Sequence, residues 1–256
     1  MKSKITLLLM TLFIATGCNS LKQRCQETNW FEYGKTLGLS GKYPDEDLFY
    51  GQCKKEGYEV SYSQLDVGFK AGRDFYCTQE GANKTGRDGH HFNFTMCEGG
   101  VSKSLLEKSY RLGLIEYCKP ANGFEVGRQG RIYEKVCSQK EEVTFLPEYK
   151  KGRRIWLTAK VEERRSRSAE LQREISTEQS SLHMAQNNLS YAQGRLNTFK
   201  AMNPAAPTDD NLSREVSTYQ SSVSNYESNI RHKRDQLSKV EDEIRAYELE
   251  RKTLEN

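Results

Sequence analysis

Phe69-Lys70-Ala71-Gly72, Tyr76-Cys77 and Gly86-Arg87-Asp88-Gly89 return in the same order as Tyr110-Arg111-Leu112-Gly113, Tyr117-Cys118 and Gly127-Arg128-Gln129-Gly130. The shift is 41 residues (110 − 69) at each landmark, and it also carries Phe92 onto Tyr133. Only the closing cysteines, Cys97 and Cys137, depart from it, by one residue. A partial copy precedes these two: Gly34, Gly38 and Gly41, then Cys53. A fragment, Tyr149-Lys150-Lys151-Gly152, follows them. A repeat of this period signals one supersecondary unit packed against its neighbours.

The small residues say what that unit is. Gly34, Gly38 and Gly41 are spaced four then three, as are Ala82, Gly86 and Gly89, and Gly123, Gly127 and Gly130. That spacing lines one face of a helix. Glycine costs a soluble helix about 1 kcal/mol relative to alanine, so such a face needs a packing reason, and close approach of another backbone supplies one. The competing reading makes the same glycines tight turns between short strands. Leu105, Leu106, Tyr110, Leu114 and Tyr117 recur at three and four within 101–118 and favour helices. The expectation is a mostly α fold: a small helical repeat domain over 25–155, followed by a long coiled-coil hairpin.

Seven cysteines are present, and Cys18 stands apart from the rest. Cys25, Cys53, Cys77, Cys97, Cys118 and Cys137 all precede residue 138. The nearest two are 19 apart (137 − 118), which does not fit the short spacings of a zinc site. No metal and no cofactor is expected. An even count in one exported segment points to three disulfides. Fifteen connectivities are open to six cysteines. The repeat favours the sequential one, Cys25–Cys53, Cys77–Cys97 and Cys118–Cys137, in which each copy closes itself.

Export is read from the N-terminus. Lys2 and Lys4 precede a mostly apolar run, Ile5 to Ile14, which is shorter than the ~20 residues that span a bilayer. Ala15-Thr16-Gly17-Cys18 resembles a bacterial lipobox, with Ala15 where leucine is usual. Residues 1–17 are expected to be a signal peptide, Cys18 the lipidated first residue, and 18–24 a tether. Asn19, rather than Asp, points by the same resemblance to the outer membrane, on its periplasmic face.

From about Arg153 glycine and cysteine give way to charge with a sparse apolar stripe. Val161, Leu171, Ile175, Leu182, Ala185, Leu189, Ala192, Leu196 and Phe199 share one four-three register, broken at Arg164, Ser168 and Glu178. A second stripe runs from Leu212 through Tyr219, Tyr226, Ile230, Leu237 and Ile244 to Leu254, broken at Lys233 and Arg251. A period of 3.5 sustained this long argues for a coiled coil. Pro204 and Pro207 separate the stripes, and Asp210 or Asn211 can cap the second helix. The economical reading is an antiparallel hairpin over 156–256, with arms at about 156–201 and 211–255. Matching the arms by length sets Leu171 near Ile244 and Leu189 near Val223.

Composition agrees with a thin core plus an extended element: 29% charged, 36% hydrophobic and a mean hydropathy of −0.82. A net charge of +4 over 256 residues implies no polyanion partner, and no nucleic acid is expected. Catalytic motifs are lacking. His90-His91 could hold a metal or shuttle protons, and Asp45-Glu46-Asp47 could do acid–base work on a glycan, but a solvated loop and a solvated turn account for them. The cluster Lys150, Lys151, Arg153, Arg154, Lys160, Arg164, Arg165 and Arg167 makes the base of the first arm positive.

Trp30 with the Gly34, Gly38, Gly41 spacing carries a family resemblance. So do Tyr117-Cys118, Asn122-Gly123, Gly127, Gly130 and Tyr133, then Val136-Cys137, and finally Phe145, Tyr149 and Gly152-Arg153. Over about 25–155 the chain resembles the bacterial lipoprotein family called domain of unknown function 2799. The family's proline after the last cysteine is Ser138 here, and the coiled-coil tail is not part of the shared domain. The resemblance implies an envelope location and no activity. The resulting expectation is a non-enzymatic envelope lipoprotein, held to the membrane by its lipid, with a protein partner on the coiled coil. The alternatives are a module that binds cell-wall glycan or inhibits a periplasmic enzyme, and a hydrolase.

Overall fold

A computed structural model describes residues 20–205, 207 and 209–255. The leader and Cys18 lie outside the described residues. Among those residues the chain is helical, with nine α-helices and no strand. Two compact units are present: Met1–Cys118 with Glu134–Cys137, and Lys119–Tyr133 with Ser138–Asn256.

The first unit holds α1 (Leu21–Glu27), α2 (Trp30–Leu39), α3 (Leu48–Lys55), α4 (Tyr62–Tyr76), α5 (Gln79–Asp88) and α6 (Lys103–Tyr117). Polar side chains start several of these helices. Asn29 accepts the Glu32 N–H, Asp47 the Tyr50 N–H and Thr78 the Gly81 N–H. α2 packs on α4 and α5 on α6. Where they cross, backbone meets backbone. A Cβ on Gly34 would strike the carbonyl of Leu65, one on Gly38 that of Phe69, one on Gly68 that of Phe31, and one on Gly72 that of Lys35. The α5–α6 crossing repeats this with Gly86 against Tyr110 and Gly113 against Asn83, while Ala82 is fully buried. The glycine faces therefore come in facing pairs, and Gly68, the first glycine of the α4 face Gly68-x3-Gly72, lies outside the 41-residue landmarks.

The third residue of each triad is different. Gly41, Gly89 and Gly130 do not extend the helical face. They lie just past the helix ends with φ of +70°, +76° and +78°. So the helical and the turn readings each hold for part of the triad. Each of these glycines sits against an aromatic ring of the partner helix, Gly41 on Tyr76, Gly89 on Tyr117 and Gly130 on Trp156. A side chain there would meet both a left-handed backbone and a ring face.

Disulfides Cys25–Cys53, Cys77–Cys97 and Cys118–Cys137 close segments with sequence separations of 28, 20 and 19. Each is worth about 3 kcal/mol in the chain-entropy account. Their sulfurs sit within small aromatic cores. Cys25 and Cys53 pack with Trp30, Tyr50 and Leu65, and Cys97 packs with Tyr76, Phe92 and Leu106.

The second unit holds α7 (Pro120–Arg128), α8 (Gln139–Met202) and α9 (Asp210–Thr253). Ser138 and Glu141 form a capping box at the start of α8. α7 crosses α8 as α5 crosses α6: a Cβ on Gly127 would lie 2.6 Å from the Arg153 nitrogen, and one on Gly152 would strike the Phe124 carbonyl. α8 then continues unbroken through 155 and 156. The change of composition there marks a change of partner, from α7 to α9, and not an end of the helix. Asp209, one residue earlier than expected, caps α9 by accepting the Asn211 and Leu212 N–H groups.

The hairpin is antiparallel, with a register different from that set by arm length. Arg164 Nε lies 2.7 Å from Glu243, with its N–H poorly aimed, and Lys233 pairs with Glu174. Leu171 therefore lies level with about Leu237, not Ile244. The arms are not matched end to end, because α9 runs on to meet the third repeat copy. There the guanidinium of Arg153, 6% exposed, bonds Glu250 at 2.7 and 3.1 Å, the Gly130 carbonyl, and the face of Trp156 at 4.3 Å. Tyr247 meets Trp156 edge-on at 5.7 Å.

Two outcomes are expected in chemical denaturation. Gly38→Ala should cost about 3 kcal/mol or more, because the new methyl has only backbone atoms to displace. Gly51→Ala, in open space within α3, should add about 0.5–1 kcal/mol. Separately, Glu250→Ala should cost the second unit about 2–3 kcal/mol by stranding Arg153, an amount reduced because Glu250 is itself half-exposed. Glu162→Ala, at an exposed pair, should change stability by less than about 1 kcal/mol.

Candidate functional site

A cleft of about 650 Å³ lies in the first unit beside the C-terminal ends of α2 and α5. Leu39 and Phe75 are half-exposed at it, and Tyr76 and Phe92 stack at 4.4 Å beneath. Lys42, Lys84, Asp88, His90 and His91 line it as well. The turn that delivers both histidines is made by Gly89, whose left-handed φ ends α5.

Both histidines grip one residue, 44 positions from His90 and 43 from His91. His90 Nδ1 lies 2.8 Å from Glu134 Oε1, the His91 N–H donates to Oε2 at 3.2 Å, and His91 Nε2 donates to the Glu134 carbonyl at 2.9 Å. The Tyr110 hydroxyl donates to the His90 carbonyl at 3.0 Å. Lys135, next to Glu134, is the one described non-glycine residue with positive φ, at 59°. Partial burial pushes the Glu134 carboxyl up, but the His90 bond, the His91 N–H and the two imidazoles outweigh it, and its pKa falls below the ordinary value. Burial and the Glu134 charge push Tyr110 up, against an opposing backbone hydrogen bond. Tyr76 is pushed up to about 12, first by burial, although its oxygen accepts the Asn93 N–H at 2.6 Å. Asn93 in turn donates to the Gly41 carbonyl at 3.2 Å. The His90–Glu134 pair thus has an evident structural role, which sequence could not reveal across 44 residues.

The other titratable candidates do structural work. Asp47 caps α3 and accepts the Tyr33 hydroxyl, and burial together with that carboxylate raises Tyr33. Asp45 pairs with Lys54 at 3.7 Å. The six cysteines are spent in disulfides, and among the described residues no group of three or more His, Cys, Asp or Glu could hold a metal ion.

In the second unit the positive base of α8 is largely neutralised within the helices. Lys151 pairs with Glu148, Lys160 with Glu163, Arg165 with Glu162 and Glu248, and Arg167 with Glu170 and Glu174. The far end of the hairpin keeps apolar surface. Tyr191 is 70% exposed and Met202 77%, and they flank a shallow groove with Arg195, Phe199 and Leu212. Among the described residues no helix is long and apolar enough to cross a membrane.

The Glu134 contacts have a pH signature. A carboxyl with a lowered folded pKa contributes stability that is present above its unfolded value and is lost as pH falls through the folded one. The imidazole NMR signals of His90 and His91 should therefore shift together on acidification below the ordinary carboxylate range. In Glu134→Gln that acid transition should be absent.

No match was found among curated proteins or among solved structures. The paired glycine crossings and the Cys77–Cys97 and Cys118–Cys137 bridges fall in the stretch that carries the family pattern, while Cys25 and Trp156 lie just outside it. Residues 29–114 and 101–154 match the family described as Protein of unknown function (DUF2799), and over that stretch the chain resembles this family.

Proposed function

We propose that this chain is an exported envelope lipoprotein that works by binding, and that its hairpin presents a surface to a protein partner. One observation carries the reading: α8 does not stop where its two counterparts stop. α4 and α6 end at Tyr76 and Tyr117, with Cys77 and Cys118 as caps. α8 passes the equivalent Trp156-Leu157 and continues for 45 residues (202 − 157), about 68 Å of helix. A core does not need that length, whereas reach does. Three disulfides in a small domain fit an oxidising compartment. The lipobox-like Ala15-Thr16-Gly17-Cys18 and Asn19 favour the outer membrane, on its periplasmic side. The exposed aromatic and methionine groove around Tyr191 and Met202 is the surface we assign to the partner.

A second reading is favoured by the cleft. Its apolar floor and its Lys42, which has no carboxylate partner among the described residues, suit a glycan or peptide bearing a carboxylate. On that reading the purified chain sediments with peptidoglycan sacculi and Lys42→Glu does not.

In-cell crosslinking with mass spectrometry tests the leading reading. Leu182 and Ile230 line the same groove across the hairpin, so removing 183–229 and closing the arms there keeps the base in register. The shortened chain should lose the partner crosslinks of the full chain while keeping its three disulfides. Capture that survives the deletion would remove the hairpin as the binding element. Labelled palmitate should enter the full chain and not Cys18→Ser.

A further inference from the structure

The far half of the hairpin differs in surface from its base. Residues 179–194 of α8 and 216–226 of α9 contain no Lys, Arg, Asp or Glu, in a chain that is 29% charged. The Arg195–Glu215 pair and the groove shared by Leu182 and Ile230 set these two segments opposite each other. One band of the hairpin is therefore uncharged on both arms over about 24 Å. A coiled coil that meets only water carries charge at its outer positions. Loss of that charge around exposed aromatic and methionine side chains is the composition of an interface core.

α8 carries two seams in this band. Leu182, Ala185, Leu189, Ala192, Leu196 and Phe199 follow a three-four spacing and face α9. Met184, Asn187, Tyr191, Gly194 and Thr198 follow the same spacing two residues on, and all five are exposed. Two residues turn a helix by about 200°, so this second seam points to solvent. A three-four seam is the pattern that receives one further helix.

The seam's own residues say which helix. Among the described α-helical glycines, only Gly51 and Gly194 have nothing within 4 Å of a built Cβ, and the others meet the chain closely. Gly41, Gly89 and Gly130 each seat an aromatic ring. Gly194, unlike Gly51, has an exposed ring on its own face, that of Tyr191, three residues away. Consider two α8 helices, antiparallel, about a twofold axis between residues 192 and 193. Tyr191 of each copy then falls on Gly194 of the other. Asn187 falls opposite Thr198, and Met184, 59% exposed, opposite Ala201 and Met202. The face holds both a knob and the hole that fits it, which is the self-complementarity of a twofold interface. Arg195, which borders the seam, is bonded to Glu215 of its own arm, so no free cation is set against its copy.

We infer that this seam is a homodimer interface, in which the hairpins of two copies pair antiparallel through Tyr191 and Gly194. The inference rests on the reading that the groove at Tyr191 and Met202 takes a protein partner, and it names that partner as a second copy of this chain. A face about 28 Å long and one to two helices wide covers about 300–600 Å² per copy, the size of a weak, transient dimer.

The full mature chain with Cys18→Ser keeps acylation out of the measurement. In sedimentation velocity over about 1–200 µM its mass should rise from one chain toward two, with a Kd on the order of 10–100 µM. Gly194→Lys and Tyr191→Ser should each weaken the dimer about tenfold or more. Gln186→Lys, the same charge placed off the seam, should leave it unchanged. Because a side chain at Gly194 meets nothing within its own chain, Gly194→Lys should keep the helical signal and the three disulfides. A single-chain mass at every concentration, or a dimer that both seam variants leave intact, would overturn the pairing. A photo-crosslinking residue in place of Tyr191 of the unaltered chain reports in the cell. Its expected adduct is a second copy, joined at the peptide that contains Gly194. An adduct to a different protein defeats the homodimer and leaves the proposed partner surface standing, whereas an adduct to glycan, or none, defeats both.

Discussion

The structure depends on one kind of contact: two helix backbones brought together across glycine. At Gly38 the neighbouring atoms are the Phe69 carbonyl and the Arg73 amide, with no side chain between. At such a crossing the helices gain dispersion and Cα–H···O contacts over many atoms. They offset about 1 kcal/mol of helix propensity for each glycine. The same contact explains how a chain with 36% hydrophobic residues can pack at all. Backbone surface, which every residue supplies, takes the place of large side chains, and the few large ones cluster around the disulfides. The cross-links then compensate for a core that is thin at each copy.

Within that scheme the third copy turns a stop into an extension. In α4 and α6 the residue after the ring-bearing Tyr is a cysteine, which caps the helix and bonds elsewhere in its copy. At the matching place α8 has Leu157, fully buried, after Trp156. A leucine offers no reason to end the helix and a good reason to be covered. α9 lies alongside, Tyr247 meeting the Trp156 edge and Glu250 holding Arg153. Within the second unit α7 and the hairpin thus share one continuous helix, with Arg153 facing both. It bonds the Gly130 carbonyl of the repeat and the Glu250 carboxylate of the hairpin.

Much of this was legible because the constraint is severe. Only glycine fits a backbone crossing, so the crossings write themselves into the sequence as a repeat, and the mostly α fold with a hairpin is borne out by the helices found. The same severity blurs detail. A left-handed turn also demands glycine, so Gly41 and Gly130 look like further members of a helical face until their φ is known. Gly68 went unnoticed although its four-residue spacing to Gly72 was visible, because it has no counterpart at the 41-residue shift. The hold of His90 and His91 on Glu134 joins positions 44 and 43 apart and rests on the turn at Gly89, with no local signature. In the hairpin, period was readable and register was not. Arm length counts residues, whereas register depends on which charge meets which.

Those charges also bear on why the arms choose each other. An apolar stripe alone would let either arm pair with its own copy in parallel. Lys233 interrupts the α9 stripe, and in a parallel α9 dimer it would face another Lys233. In the hairpin it finds Glu174. Arg164 interrupts the α8 stripe and faces Glu243. Arg195 and Glu215 make a further cross-arm pair near the tip. Each pair is partly exposed and contributes little stability alone. Arg164 and Lys233, placed at gaps in the stripe, act mainly through the alternatives, because a parallel pairing of either arm with its own copy sets a cation against a cation. The gaps in the apolar pattern, which weaken the coiled coil as a core, are what define it as a hairpin.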